Sequence, residues 1–204
     1  MDISEETKNA ILLLERELKL PDNSFHRIKE ENDYGFILKG HIILVKSLTI
    51  LFCTLIRNKD IFQLFEKEID FDDKLDFIKA FNVLTEDELK FARLFTKVRN
   101  KLAHDPNFMF CTLEDIYNKE GKDKAYIRFF FGFRGDTEDG LGKQDHDWVT
   151  TNLRQSLEES FESFLAIINL ETGNIDRREK CDQLTIVASN LRDKLTKSGV
   201  IPSI

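Results

Sequence analysis

The sequence predicts an all-α fold with one small β-like insertion. Proline and glycine, which interrupt helices, number only 3 and 9 among 204 residues. Apolar residues recur every three or four positions through most of the chain, which is the spacing of a helix face. The 41% hydrophobic and 33% charged content suits a globular protein. At this length we expect a single domain, 1–204, with a helical core over 25–170.

The first predicted helix carries one apolar stripe, formed by Ile11, Leu14 and Leu18. A helix with a single stripe buries only that side, so we expect it on the outside of a bundle. The segment 20–24, Leu-Pro-Asp-Asn-Ser, contains a proline and turn-forming residues that end it.

The second long helix is apolar on nearly every side. It is predicted from about Tyr34 to Arg57, and such a helix is covered by neighbours on most of its surface. Its most apolar part, 42–56, is shorter than the roughly 20 residues that a bilayer requires and includes Lys46. We therefore expect a central core helix and no membrane span.

Two short amphipathic segments and a longer helix follow. The short segments are 60–69 and 71–84. The longer helix is predicted to begin after Thr85, because Glu88 three residues on completes a capping box. It is predicted to end at about His104, because a proline follows two residues later.

Residues 109–147 differ in character from the rest. Their segment 124–133 is rich in β-forming residues, and turn-forming residues follow it, so we expect a β-hairpin-like or irregular insertion. Helical periodicity returns over 149–168. The segment 171–174, Glu-Thr-Gly-Asn, is expected to end that helix before a separate C-terminal helix, 175–198.

Charge and cysteine content exclude several classes of protein. A net charge of −7 argues against coating of nucleic acid through bulk electrostatics, although a local basic site stays open. The 3 cysteines are widely spaced, which supports neither a disulfide framework nor a zinc site. The acidic N-terminal segment does not resemble a secretory signal. We expect a cytoplasmic protein without a cofactor.

Two histidine sites are interpreted as structural. Asp145, His146 and Asp147 are consecutive, so their side chains do not converge on one ion, and we expect no metal site. His41 lies within the apolar helix and is interpreted as a hydrogen-bonded core or interface residue.

The helix that ends at His104 is patterned on each side. Five apolar residues fall within an arc of roughly 100° and predict the core-facing side: Phe91, Leu94, Phe95, Val98 and Leu102. Five basic residues follow one flank and are called the basic strip here: Lys90, Arg93, Lys97, Lys101 and His104. No acidic residue occurs between Leu89 and His104, so this is a local positive surface in an acidic protein.

Three small side chains lie in line on the same helix and are called the small-residue groove: Ala92, Thr96 and Ala103. Arg99 is on one edge of this groove, and Asn100 and His104, four residues apart, are on the other. A groove of this kind admits a partner helix or a phosphate at close range.

The polar residues at the helix end suit phosphodiester chemistry. Unpaired carbonyls in the last turn stabilise a positive charge on His104, so that this residue would carry a proton. Arg99 presents a planar fork that holds phosphate. The same residues also fit a structural role, because a basic last turn is an ordinary pairing with the helix dipole.

Residues 99–104, Arg-Asn-Lys-Leu-Ala-His, resemble the R-x4-6-H motif of the HEPN superfamily. The longer segment 71–108 resembles the mannitol operon repressor family and related HEPN-like proteins, and the resemblance covers about 35–108. It implies an α-helical bundle of HEPN type that forms homodimers, with two motifs meeting at the interface.

The resemblance also implies an activity. Catalytic HEPN proteins are metal-independent endoribonucleases of toxin–antitoxin and phage-defence systems, so an antitoxin or regulatory protein is an expected partner. His104 would act as general acid or base, Arg99 would stabilise the phosphorane, and Asn100 would orient His104 or the phosphate. Lys97, Lys101 and Arg93 would bind the RNA backbone.

A second function follows from the same resemblance. HEPN-like proteins of the mannitol operon repressor kind are associated with transcription regulation and protein contacts. In that case Arg99, Asn100 and His104 would brace the helix end and the dimer interface.

Overall fold

The computed structural model describes residues 5–58, 60, 62, 68–105, 108, 110–119 and 152–197. Within these ranges the chain forms seven helices and no strand, which confirms the all-α prediction. The helices are α1 (Glu5–Glu17), α2 (Ser24–Lys29), α3 (Asp33–Leu55), α4 (Phe71–Ala80), α5 (Glu86–His104), α6 (Leu113–Lys119) and α7 (Leu153–Lys197).

Helix α3 is the centre of the bundle, as its all-round apolar sequence predicts. It packs against α7, α5, α4 and α2, while α1 packs against α7. Phe36, Leu44 and Leu48 on α3 are fully buried. Among the described residues α3 alone is long and apolar enough to cross a membrane, and most of its apolar surface is already covered by the other helices.

Aromatic rings join the three main helices at one level. The ring of Phe161 on α7 stacks on that of Phe95 on α5, with centroids 4.8 Å apart, and meets the edge of Phe36 on α3 at 5.9 Å. Gly40 makes this approach possible, because a Cβ at that position would lie 3.1 Å from Cζ of Phe95 and 3.4 Å from Cζ of Phe161. The close contact of α3 with α5 therefore depends on the absence of a side chain at residue 40.

The predicted bounds of α5 are confirmed. The Thr85 hydroxyl accepts a hydrogen bond from Glu88 N at 3.3 Å, and the Glu88 carboxylate accepts one from Thr85 N at 2.7 Å. These two bonds are the capping box that the sequence indicates. The helix ends at His104, and Asp105 is in an extended conformation before the proline.

The predicted break at 171–174 is wrong, because α7 is continuous from Leu153 to Lys197. A single glycine inside a helix costs only about 1 kcal/mol, which packing on both sides readily offsets. Thr172 is buried and donates its hydroxyl to the carbonyl of Ile168 at 2.8 Å, while Ile175 packs against the core. The segment 175–198 is thus not a separate helix.

The insertion predicted for 109–147 is helical at its start, where α6 occupies Leu113–Lys119. Leu113, Ile116 and Tyr117 are buried and fix this helix against the bundle. The β-like segment 124–133 and the Asp-His-Asp sequence at 145–147 lie outside the described residues, as does most of 60–69.

Candidate functional site

Helix α5 positions the predicted site by burying its opposite side. All five residues predicted to face the core are buried: Phe91, Leu94, Phe95, Val98 and Leu102. This burial fixes the rotation of α5 about its axis. It directs the basic strip and the motif residues away from the core.

Arg99 and Asn100 form a direct pair. Nη1 of Arg99 donates a hydrogen bond to Oδ1 of Asn100 at 2.9 Å. Arg99 is half-buried and Asn100 is exposed. In the described part of the chain, Asn100 bonds Arg99 and makes no hydrogen bond to His104, although the spacing of four allows such a contact.

His104 is exposed at the end of α5. It is the last residue of the helix, and the chain continues as extended backbone from Asp105. The imidazole is therefore accessible to a ligand or to a second protein chain and is not buried against its own bundle.

The residues of the basic strip differ in their contacts and in their exposure. Nη2 of Arg93 lies 2.7 Å from a carboxylate oxygen of Asp76, and its Nε lies 3.8 Å from Asp72. Both aspartates belong to α4, so the sequence pattern of α5 alone does not predict that they pair with Arg93. Lys97 is exposed and Lys101 half-buried.

The small-residue groove is partly filled by the chain itself, which corrects the prediction that a partner would approach there. Nε2 of His41 on α3 lies 3.1 Å from the hydroxyl oxygen of Thr96. Ala92 is fully buried beneath this contact, whereas Ala103 is exposed. The helix that enters the groove at Ala92 and Thr96 is therefore α3, and only the end near Ala103 is open.

His41 is the site residue that the sequence did not identify. The hydrogen bond expected of His41 is present, with Thr96 as the partner. The sequence did not indicate that the charge of Arg99 would act on this imidazole. Burial and, to a smaller extent, the positive charges of Arg99 and Lys74 together lower the pKa of His41 to about 4. Lys74 on α4 is only 3% exposed, and the ring of Phe71 lies 5.6 Å from the imidazole. A lone histidine in an apolar helix gives no sequence signal for this cluster, because three separate helices build it.

Two further features lie apart from the motif. A cavity of about 370 Å³ is bordered by α1, α3 and α7 and includes Glu17, Lys46 and Asp176 in its lining. Among the residues that the structure describes, no three His, Cys, Asp or Glu side chains are grouped as metal ligands.

Comparison of the chain with models of protein families, with curated proteins and with solved structures found no match. The HEPN resemblance thus depends on residues 99–104 and their surroundings, and it stays a prediction.

Proposed function

We propose that the protein is a metal-independent endoribonuclease of HEPN type that acts in a toxin–antitoxin or phage-defence setting. The observation that carries the proposal is the arrangement at the end of α5. Asn100 holds Arg99 by a 2.9 Å hydrogen bond on the part of α5 from Leu89 to His104, which contains no acidic residue, and this helix ends at the exposed His104. A guanidinium that a neighbour orients and an accessible imidazole are two of the groups that phosphodiester cleavage uses, and α5 carries both.

The reaction would proceed by attack of a ribose 2′-hydroxyl on the adjacent phosphorus. The 2′-O–P bond forms, the P–O5′ bond breaks, the 2′-hydroxyl loses its proton and the leaving 5′-oxygen gains one. His104 would transfer one of these protons, as base or acid. Arg99 would stabilise the negative charge of the phosphorane. The products would be a 2′,3′-cyclic phosphate and a 5′-hydroxyl.

Each role is assigned to a residue with suitable surroundings. Asn100 would orient the Arg99 guanidinium, which is the contact it makes, and not the His104 imidazole. Lys97 and Lys101 would bind the RNA backbone without reading its sequence. Asp76 and Asp72 already hold the guanidinium of Arg93, and this pairing would lower its contribution to RNA binding. A homodimer would bring a second His104, which would carry out the other proton transfer. We expect the protein to act in the cytoplasm.

The test is cleavage of a mixed-sequence RNA by the full chain in EDTA. Wild type is compared with His104→Ala and with His26→Ala, a matched control because His26 is exposed on α2 beside Glu30. We expect His104→Ala to lower the cleavage rate about 100-fold or more, since a general acid or base contributes at least that much. His26→Ala should cleave like wild type and leave 2′,3′-cyclic phosphate ends.

Two results would contradict the proposal. One is the absence of cleavage by wild type at high protein concentration. The other is equal cleavage by His104→Ala and wild type, which would indicate a contaminating nuclease. Circular dichroism of each variant controls for folding.

A non-catalytic regulatory or interaction protein is the second candidate, and α7 favours it. This helix has 45 residues, and consecutive side chains near Asp182 are exposed beyond the packed part. A long exposed helix is a common docking element. Under this function the protein would bind a protein partner with unchanged affinity when His104 is replaced by alanine.

A further inference from the structure

His41 on α3 contacts α5 one turn before Arg99, and the charge of Arg99 acts on its imidazole. Thr96, which contacts His41, lies three residues before Arg99, one turn along α5. The R-x4-6-H motif lies entirely on α5 and does not include His41. A side chain from α3 therefore contacts α5 one turn before the motif, within a single chain.

The hydrogen bonds of Thr96 determine the tautomer of His41. Its hydroxyl lies 3.1 Å from the carbonyl oxygen of Ala92 and 3.1 Å from Nε2 of His41. A carbonyl only accepts, so the single hydroxyl proton is donated to Ala92, and Nε2 of His41 must carry a proton to donate to Thr96. Nδ1 of the neutral ring then has a lone pair, and it makes no hydrogen bond to any residue that the structure describes.

Arg99, whose charge acts on this ring, has N–H groups that bond no partner among the described residues. Its one hydrogen bond among the described residues goes to the neutral Asn100, and it pairs with no carboxylate there. By contrast, the half-buried Arg154 pairs with two carboxylates. A half-buried guanidinium bonded only to an amide retains its full charge and several N–H groups, which is the usual state of an anion-binding arginine.

We propose that His41 is a further residue of the site and that it holds an RNA phosphate together with Arg99. The proposal rests on the proposed function in that the anion belongs to RNA. His41 acts here as a binding residue, because its imidazole would contact the phosphate directly. When it is protonated, Nδ1 becomes a second donor to the phosphate, while Nε2 stays bonded to Thr96.

Phosphate binding and protonation of His41 are coupled. The charges that act on its pKa from the neighbouring helices are Arg99 on α5 and Lys74 on α4, both positive. An anion bound beside them offsets their effect and favours the imidazolium. By linkage, the anion binds the protonated form more tightly to the same extent that it raises the pKa of His41.

The first test uses sulfate, whose charge is constant above pH 3. The pKa of His41 is measured by NMR of the imidazole in the full chain, in sodium sulfate and in sodium chloride at equal ionic strength. We expect sulfate to raise this pKa by about one pH unit or more, which corresponds to tenfold tighter binding to the protonated form. The ring of His26, on the surface of α2, is the internal control.

Arg99→Gln provides the matched variant. Removal of the guanidinium should raise the pKa of His41 in chloride, because a neighbouring positive charge is lost, and should abolish the response to sulfate. A pKa of His41 that sulfate leaves unchanged would overturn the proposal, as would a full response in Arg99→Gln.

The second test separates phosphate binding from packing. His41→Gln retains an amide N–H for the hydroxyl of Thr96 but has no titratable nitrogen. A rise in the pKa of His41 from about 4 to about 5 makes the anion bind about threefold more tightly at pH 4.5 and has no effect at pH 8. We therefore expect the affinity of His41→Gln for a non-cleavable 2′-O-methyl RNA oligonucleotide to fall about threefold at pH 4.5 and to match that of wild type at pH 8. Equal RNA affinity at pH 4.5 would overturn the assignment to an RNA phosphate.

The outcomes are distinguishable from those for the proposed nuclease. The sulfate response requires no RNA cleavage, so an inactive wild type would leave it intact. Conversely, cleavage that depends on His104 while sulfate has no effect on His41 would overturn this inference alone.

Discussion

At the scale of single residues, His41 shows how a side chain acquires properties that its sequence position does not indicate. A histidine in an unfolded chain has a pKa of 6.5, and in the fold the pKa of His41 is about 4 because burial and two cations disfavour its charged form. The neutral ring donates to Thr96, and its Nδ1 makes no hydrogen bond to a described residue. The packing of α3, α4 and α5 thus places His41 within reach of the charges of Arg99 and Lys74.

This depressed pKa gives a prediction for stability against pH. Between pH 6.5 and 4 the folded chain binds fewer protons at His41 than the unfolded chain does. The contribution of His41 to the free energy of unfolding is therefore fully present above about pH 6.5 and is lost as the pH falls toward 4.

Urea unfolding of wild type and His41→Gln at pH 7.5, 6 and 5, in chloride buffers, measures this effect. We expect wild type to lose more stability than the variant over this range. His26→Gln serves as the control and should follow wild type. Parallel curves for wild type and His41→Gln would show that protonation of His41 is not linked to unfolding.

At the scale of helices, two glycines in helix interiors have opposite roles. Gly40 on α3 faces the rings of Phe95 and Phe161, both of which are buried and stacked on each other. Gly173 on α7 has nothing within 4 Å of the position that a Cβ would occupy. The same residue type is thus required for packing at one site and only lowers helix propensity at the other.

Alanine substitution separates the two cases. We expect Gly173→Ala to stabilise the fold by about 0.5–1 kcal/mol through helix propensity. Gly40→Ala gains the same helix propensity, but its Cβ would overpack against the ring of Phe95, which costs more. We therefore expect Gly40→Ala to destabilise the fold by about 1 kcal/mol. Thermal and urea unfolding of both variants measure the difference.

A stabilised Gly40→Ala would show that Phe95 shifts readily and that α3 and α5 are loosely packed. A destabilised Gly173→Ala would argue against the continuous α7.

At the scale of the whole molecule, Arg154 on α7 links elements that are distant in sequence. Its Nη1 lies 2.9 Å from Oδ1 of Asp33, and its Nη2 donates to the carbonyl of Lys29 at 3.1 Å. The guanidinium lies 4.1 Å from the centroid of Phe36. The other oxygen of Asp33 accepts a bond from Leu113 N at 2.7 Å. One side chain thus connects α7 with α2, α3 and, through Asp33, α6.

Arg154→Lys tests this role, because lysine retains the charge but lacks the planar fork. We expect the free energy of unfolding to fall by about 2 kcal/mol through loss of charged hydrogen bonds in a partly buried site. The control is Arg177→Lys, since Arg177 is exposed and its hydrogen bonds within the described part of the chain go to Asn174 and Gly173 on its own helix. Equal stability of the two variants would show that charge alone holds the network.

The features that follow from local sequence were predictable. The capping box at Thr85, the core side of α5 and the central position of α3 each depend on residues within one helix, and the structure confirms them. The break at 171–174 was predicted wrongly because turn-forming residues are only weakly unfavourable in a helix, and packing of the residues around Thr172 outweighs them.

The sequence by itself determined the all-α class, the orientation of α5 and the position of the Arg-Asn-Lys-Leu-Ala-His segment at its end, because helix periodicity and capping act over a few residues. Only the tertiary structure decided what surrounds this segment. It brought His41 to Thr96, left Arg99 bonded to Asn100, and placed Asp76 on Arg93. The contacts of His41 with Thr96 and of Asp76 with Arg93 join residues 55 and 17 positions apart on different helices, so their geometry depends on how the helices pack.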